Sequence, residues 1–292
     1  MPAVTCPIQR AIGDGQLEWI MKHPFFVGMG DGIAFGQILP ALRKYEVHFY
    51  EGGARLFRFT KSRVFTHRAY IDGAGDGERE VGKAESTTLT LVDIRRRAVC
   101  HRPDNSELVG VHKLFTHFAV TRRPYRPGEL ALIDVEARFA ANSEDTPELP
   151  PGMIDLAFLL PDRRLLFVEA KCVGNSAVRS EGTAKVVTQV RDYERHIMRE
   201  GVLDALNRSL KVQSCLVGRD LGQSEGVFPK VPVLVLDPTK RGISHRSTDT
   251  WLRSALARSG HPEADSLSIN VIDGISTPPD YAISQFVAGL RI

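Results

Sequence analysis

GMIDLAFLLPDRRLLFVEAK, residues 152–171, decides how this chain is read. Two apolar runs, 152–160 and 164–171, are separated by Pro161, Asp162 and Arg163, a link too short for anything but an antiparallel hairpin. A loop with an odd number of residues sets Leu160 against Arg164 and therefore Asp155 against Glu169. Directly opposed residues share a face, with Cβ atoms about 4.5–5.5 Å apart. Side chains alternate along a strand, so Glu169 and Lys171 point the same way as Leu165 and Phe167. Charges among such neighbours require a partner, a metal or water, because bare burial is costly.

Two carboxylates at this spacing repel each other unless a cation lies between them. Hard oxygen ligands favour magnesium or manganese over zinc. A lysine beside such an ion can orient or deprotonate a water, or stabilise developing anionic charge. These are the parts that phosphodiester hydrolysis requires. Downstream, TAKVVTQVRDYERHIMREG (183–201) reads as a helix with Val186, Val190, Tyr193 and Ile197 along one stripe and Gly201 placed to end it. Gln189 and Tyr193, four apart, project from the same side, which makes Gln189 a polar intruder beside that stripe.

MIDLAF with Asp155, VEAK with Glu169 and Lys171, and QVRDY with Gln189 and Tyr193 together resemble the PD-(D/E)xK nuclease superfamily; the last is similar to the QxxxY helix motif of its RecB-type members. The resemblance covers roughly residues 130–240. It implies a restriction-endonuclease-like core of α/β (α+β) class, a mixed β-sheet flanked by helices. Asp155 and Glu169 would bind Mg²⁺ or Mn²⁺, with the Ala170 backbone carbonyl as a further ligand. Lys171 would serve the attacking water, with Gln189 and Tyr193 supporting the site. Ile154 stands where the motif's proline is expected, and the literal Pro161-Asp162 falls in the hairpin turn and is a decoy. An additional acid often lies upstream of the aspartate in this group; Glu136 is the candidate, with Asp134 one pleat away as the alternative.

Around this core, LALIDVEARFA (130–140), KVQSCLVGR (211–219), VPVLVLD (231–237) and SLSINVIDG (266–274) read as strands, and 202–210 and TDTWLRSALARSG (248–260) as helices. Upstream lies a mixed, strand-rich region. There VHFYEGGARLFRF reads as a hairpin around Glu51-Gly52-Gly53, DGAGDGEREVGKAES (72–86) as a surface loop, and TTLTLVDIRRRAV (87–99) as a strand running into three arginines. SELVGVHKLFTHFAV (106–120) reads as a helix or a buried strand. TRRPYRPGE (121–129) marks the boundary between an N-terminal region of unassigned role, 1–122, and a nuclease-like domain, 123–292.

Composition is that of an ordinary globular chain, 292 residues with 42% hydrophobic and 25% charged. No apolar run approaches the ~18 residues of a membrane span, which argues against a membrane partner. The N-terminus lacks the basic and apolar segments of a signal peptide, and Cys6, Cys100, Cys172 and Cys215 are scattered without a CxxC pair. A cytoplasmic protein with reduced thiols is the expectation. GAGDG (73–77) lacks a strand-to-helix setting for a nucleotide loop, His112 and His117 fall on different helix faces, and Cys172 reads as a buried thiol. The arginines 95–97 read as a solvated strand end.

Net charge is only +3, but residues 161–219 hold eleven Lys or Arg against seven Asp or Glu. Such a balance suits a phosphate backbone, with Arg179 and Lys185 as first contacts. The expectation is a metal-dependent nuclease acting on nucleic acid, with DNA placed ahead of RNA and a homodimer compatible. The alternative is a nucleic-acid-binding or scaffold protein that keeps the fold without hydrolysis.

Overall fold

The computed structural model describes residues 12–82, 91–101, 111, 114, 130–139, 152–172, 185–237 and 269–273. The expected helix 248–260, all of 106–120 except 111 and 114, the whole proposed boundary 121–129, Arg179 and both His112 and His117 lie outside them.

The described chain is a mixed α/β structure built on two sheets. The first contains β1 (Leu39–Arg43), β2 (Glu46–Glu51), β3 (Ala54–Phe59), β4 (Val64–His67) and β5 (Glu78–Glu80), each antiparallel to the next. Helices α1 (Asp14–Lys22), α2 (Pro24–Ala34), α3 (Arg68–Asp72) and α4 (Leu91–Cys100) accompany it. The expected hairpin is present: Gly52 and Gly53 both take positive φ, 59° and 86°, which a tight two-residue turn demands. Ile20, Phe25, Met29, Phe49, Phe57, Phe59 and Ile94 form a core of their own between this sheet and its helices.

The segment read as a strand at 87–99 is instead helical from Leu91 onward. Ile94 and Ala98, one turn apart, are buried, while β-branched residues nearby had suggested a strand. Its arginines are also not a solvated strand end. Arg95 grips Glu51, Arg97 donates to the Tyr70 carbonyl at 3.0 Å, and Arg96 pairs with Asp93.

The second sheet runs β11-β10-β8-β7-β6, where β6 is Ala131–Phe139, β7 Gly152–Leu159, β8 Arg164–Cys172, β10 Val233–Asp237 and β11 Ile269–Asp273. A short β9 (Gly226–Val227) pairs with the start of β8. β6, β7 and β8 are antiparallel, whereas β10 lies parallel to both β8 and β11. The connection from β8 to β10 passes through α5 (Lys185–Ile197) and α6 (Val202–Val217).

Two boundaries differ from the sequence reading. α5 ends at Ile197, and Gly201 (φ 74°) forms the joint into α6 instead of terminating α5. α6 runs through the expected strand 211–219 to a left-handed cap at Gly218. Leu206, Leu210, Gln213 and Leu216 are all buried at helical spacing, and no breaker precedes Gly218. Among the described residues no helix is long and apolar enough to cross a membrane.

β8 is apolar throughout because both its faces are covered. Leu165 and Phe167 join the core under α5 and α6, while Leu166, Val168 and Ala170 join a core shared with Leu39, Ala41, Val111 and Leu114. Each such side chain contributes about 1.5–3 kcal/mol when fully buried. The edge strands β1 and β6 lie side by side, and Gln213 bridges them by donating to the Pro40 and Ile133 carbonyls, both at 3.1 Å.

His48 of β2 is buried and stays neutral. With Nε2 protonated, its ring donates to Glu46 at 3.0 Å and accepts the Tyr50 hydroxyl at 3.2 Å. Burial, reinforced by Arg43, Arg55 and Arg58 and opposed by Glu78, pulls the imidazole down to about 2. Unfolding frees it to titrate near its ordinary value, so below about pH 6.5 the unfolded chain binds the extra proton. Stability is therefore full above that pH and lost as the pH falls. Between pH 7.5 and 5.0 the loss from this residue should be about 2 kcal/mol. Urea unfolding of wild type and His48→Gln at both values measures it; parallel losses in the two proteins would refute the assignment.

Candidate active site

The hairpin forms in the expected register. Leu159 pairs with Leu165 and Leu156 with Val168, and Leu160 N–H donates to the Arg164 carbonyl at 2.8 Å. Asp162 turns outward to hold Arg164 at 2.6 Å, so the literal Pro-Asp is part of the turn, as expected. Continued by one pair, this register sets Asp155 opposite Glu169.

The regular ladder stops just there, and the reason is chemical. Continuing the alternation from Leu160 and Arg164, the Ala170 N–H would meet the Ile154 carbonyl. The Asp155 carboxylate takes that donor instead, at 2.8 Å. Asp155 is thereby fastened to the backbone of the strand that carries Glu169 and Lys171. From that point β8 finds its next partner in β10, where Glu169 aligns with Val233 and Lys171 with Val235.

Glu169 is fully buried and Lys171 nearly so. The Lys171 ammonium makes a close ion pair with one Glu169 oxygen and lies 3.7 Å from Asp155. Burial first, then the Asp155 carboxylate, pushes the Glu169 carboxyl up to about 8 against the pull of Lys171. The other Glu169 oxygen, Oε2, is buried with no hydrogen-bond partner. One ammonium thus faces two carboxyl groups, and below about pH 8 the buried Glu169 holds a proton in the metal-free protein.

The wall of the site comes from α5. Val186, Val190 and Ile197 pack into the core beneath it, as the stripe predicts. Gln189 donates its amide N–H to the Tyr193 hydroxyl at 2.5 Å, and that hydroxyl donates to the Met153 carbonyl at 2.6 Å. Burial and the nearby Glu169 charge both push the phenol upward, so Tyr193 keeps its proton for Met153. Gly152 makes room for this wall: a Cβ there would meet the Tyr193 ring at 3.0 Å and His196 at 3.1 Å. Glycine's role at the start of β7 was not visible in the sequence.

Two carboxylates, one with an orphaned buried oxygen, fit a hard divalent cation such as Mg²⁺ or Mn²⁺. Asp155 and Glu169 are the residues that would hold it. Among the described residues, no group of three or more His, Cys, Asp and Glu side chains comes together to hold a metal. The Ala170 backbone, expected to add a carbonyl, lies in the β8–β10 ladder opposite Leu234. Glu136, expected as a further ligand, is engaged elsewhere: Arg43 of β1 holds its carboxylate at 2.7 Å. Asp134, the alternative, is buried and accepts the Val135 N–H at 2.7 Å. Arg43 is the partner that sequence reasoning missed, since only the fold brings residues this remote to β6. Lys185 is exposed at the start of α5.

No protein-family description, curated protein or solved structure matches this chain.

Two carboxylates crowded into an apolar core cost stability unless a cation accompanies them. Glu169→Gln should therefore raise the stability of the metal-free protein, by about 1–3 kcal/mol at pH 8. Thermal or urea unfolding in a chelator checks this; a clear loss of stability would mean that the Glu169–Lys171 pair is a net structural asset.

Proposed function

We propose that this chain is a divalent-metal-dependent nuclease that hydrolyses phosphodiester bonds, built on a restriction-endonuclease-like core. The observation that carries the reading is the meeting of the half-buried Asp155 with the buried Glu169 and Lys171, with an unpartnered Glu169 oxygen among them. A structural ion pair needs one acid for one base; the second carboxyl group and the buried Glu169 oxygen suit a further cation.

Asp155 and Glu169 would hold the ion, Mg²⁺ or Mn²⁺. When bound, it supplies a positive centre that lowers the pKa of water and offsets charge on a phosphate. With the ion bound, Lys171 would no longer have to balance both carboxyl groups. Its ammonium would orient the attacking water or stabilise anionic charge as it develops. Tyr193 and Gln189 act by position, fixing the start of β7 through the Met153 carbonyl so that Asp155 stays in reach of Ala170. The apolar residues around Glu169 exclude bulk water and strengthen each of these charge interactions. Nucleic acid is the substrate class, DNA ahead of RNA, and the exposed Lys185 and the basic segment 161–219 suit a phosphate backbone.

Cleavage of DNA and RNA with Mg²⁺ or Mn²⁺ should fall by about 10²–10³-fold in Asp155→Ala, Glu169→Ala and Lys171→Ala. Undiminished cleavage in both Glu169→Ala and Lys171→Ala would sink the proposal. Calorimetric titration with Mn²⁺ separates the alternative. A folded wild type that neither binds Mn²⁺ through Asp155 nor cleaves would favour a nucleic-acid-binding or scaffold protein that keeps the fold without hydrolysis.

A further inference from the structure

Strands β6 and β7 turn over at the level of the candidate site. In a regular strand residues two apart share a face. Val135 nevertheless belongs to the core shared with β1, while Ala137 belongs to the core beneath α5. β7 does the same: Leu156 and Phe158 face the first core, Ile154 the second. The flanking pairs are Val135↔Leu156 and Ala137↔Ile154, so the residues at the two reversals, Glu136 and Asp155, are opposed in register. β8 shows no reversal; Leu166, Val168 and Ala170 keep to one core, Leu165 and Phe167 to the other.

β6 carries a bulge between Leu132 and Asp134, and its second reversal, at Glu136, has a separate backbone cause. Glu136 has φ 49°, in the left-handed region that a residue with a Cβ enters only at a cost of about 1–2 kcal/mol. Something must hold it there. The guanidinium of Arg43, 4% exposed, donates to the Glu136 carboxylate at 2.7 Å and to the adjacent Val135 carbonyl at 2.9 Å, with Asp134 at 3.8 Å. One planar fork thus binds three consecutive residues of β6 around the reversal.

We propose that Arg43 is a positioning residue for the Asp155–Glu169 site. By clamping Glu136 in its left-handed conformation, it fixes the paired reversal of β6 and β7 that delivers the Asp155 carboxylate to the Ala170 N–H. The geometric claim concerns this chain's own strands. Its consequence for catalysis rests on the nuclease reading.

The test follows the Ala170 amide by hydrogen exchange in the metal-free full chain, which needs no activity. Arg43→Gln should speed exchange at Ala170 tenfold or more and leave Phe158 and Leu166 unchanged. Arg43→Lys, which restores the charge but not the fork, should fall between Arg43→Gln and wild type. Glu136→Ala should behave like Arg43→Gln, whereas Glu136→Gly, which enters the left-handed region freely, should stay within threefold of wild type. If Arg43→Gln does not fold, the Glu136 pair decides: equal exchange at Ala170 in the Ala and Gly variants overturns the proposal. Ala170 protection within threefold of wild type in Arg43→Gln overturns it equally. In the loaded protein Arg43→Gln should lower kcat at least tenfold with KM for nucleic acid unchanged. A wild type that cleaves nothing removes the nuclease reading and leaves the exchange result standing on its own.

Discussion

A carboxylate inside an apolar strand is the constraint around which this molecule is arranged. Glu169 sits in β8, which is covered on one side by α5 and α6 and on the other by the core shared with β1. Water cannot solvate it there, so every compensation comes from the protein itself. Lys171 supplies one positive charge from the same strand, and Asp155 adds a second negative one from β7. A fold selected only for stability would not place a second acid against a buried first. The second acid beside a buried first is what separates this arrangement from an ordinary internal ion pair.

The elements that surround Glu169 each do double duty. β7 contributes an apolar strand to both cores and, at Asp155, exchanges a ladder hydrogen bond for a side-chain one. α5 buries a stripe against the sheet and turns Gln189 and Tyr193 toward the Met153 carbonyl, two residues before that aspartate. α6 packs under the same sheet, and its far end joins the core of the N-terminal sheet through Leu216. Gln213 and Arg43 satisfy carbonyls where the two sheet edges meet. The first sheet is therefore tied to the strand opposite the site by buried polar contacts as well as by apolar packing.

Much of the site was legible because its signals are local. A three-residue loop sets the register of a hairpin, and register decides that Asp155 faces Glu169. Helical spacing places Gln189 one turn before Tyr193. Where the sequence reading failed, the failure was also local. The stretches 87–99 and 211–219 read as strands, yet residues 91–99 and 211–217 lie in helices whose buried residues recur each turn. Strand propensity largely reflects packing on a pleated surface, and tertiary packing overrode it here.

What the sequence determined alone was the alternation of β8, the register of its hairpin, and the side from which α5 presents its polar pair. Each follows from a period of two or about 3.6 residues and from a short loop that leaves the chain no other course. Only the tertiary structure decided where Glu136 would go. Its position opposite Asp155 suits a ligand, but Arg43, 93 residues away along the chain, draws its carboxylate into an ion pair. No periodicity encodes that contact, because it depends on β1 and β6 arriving at the same sheet edge. The left-handed turn of Glu136, and with it the reversal of β6 and β7, is a property of the packed molecule.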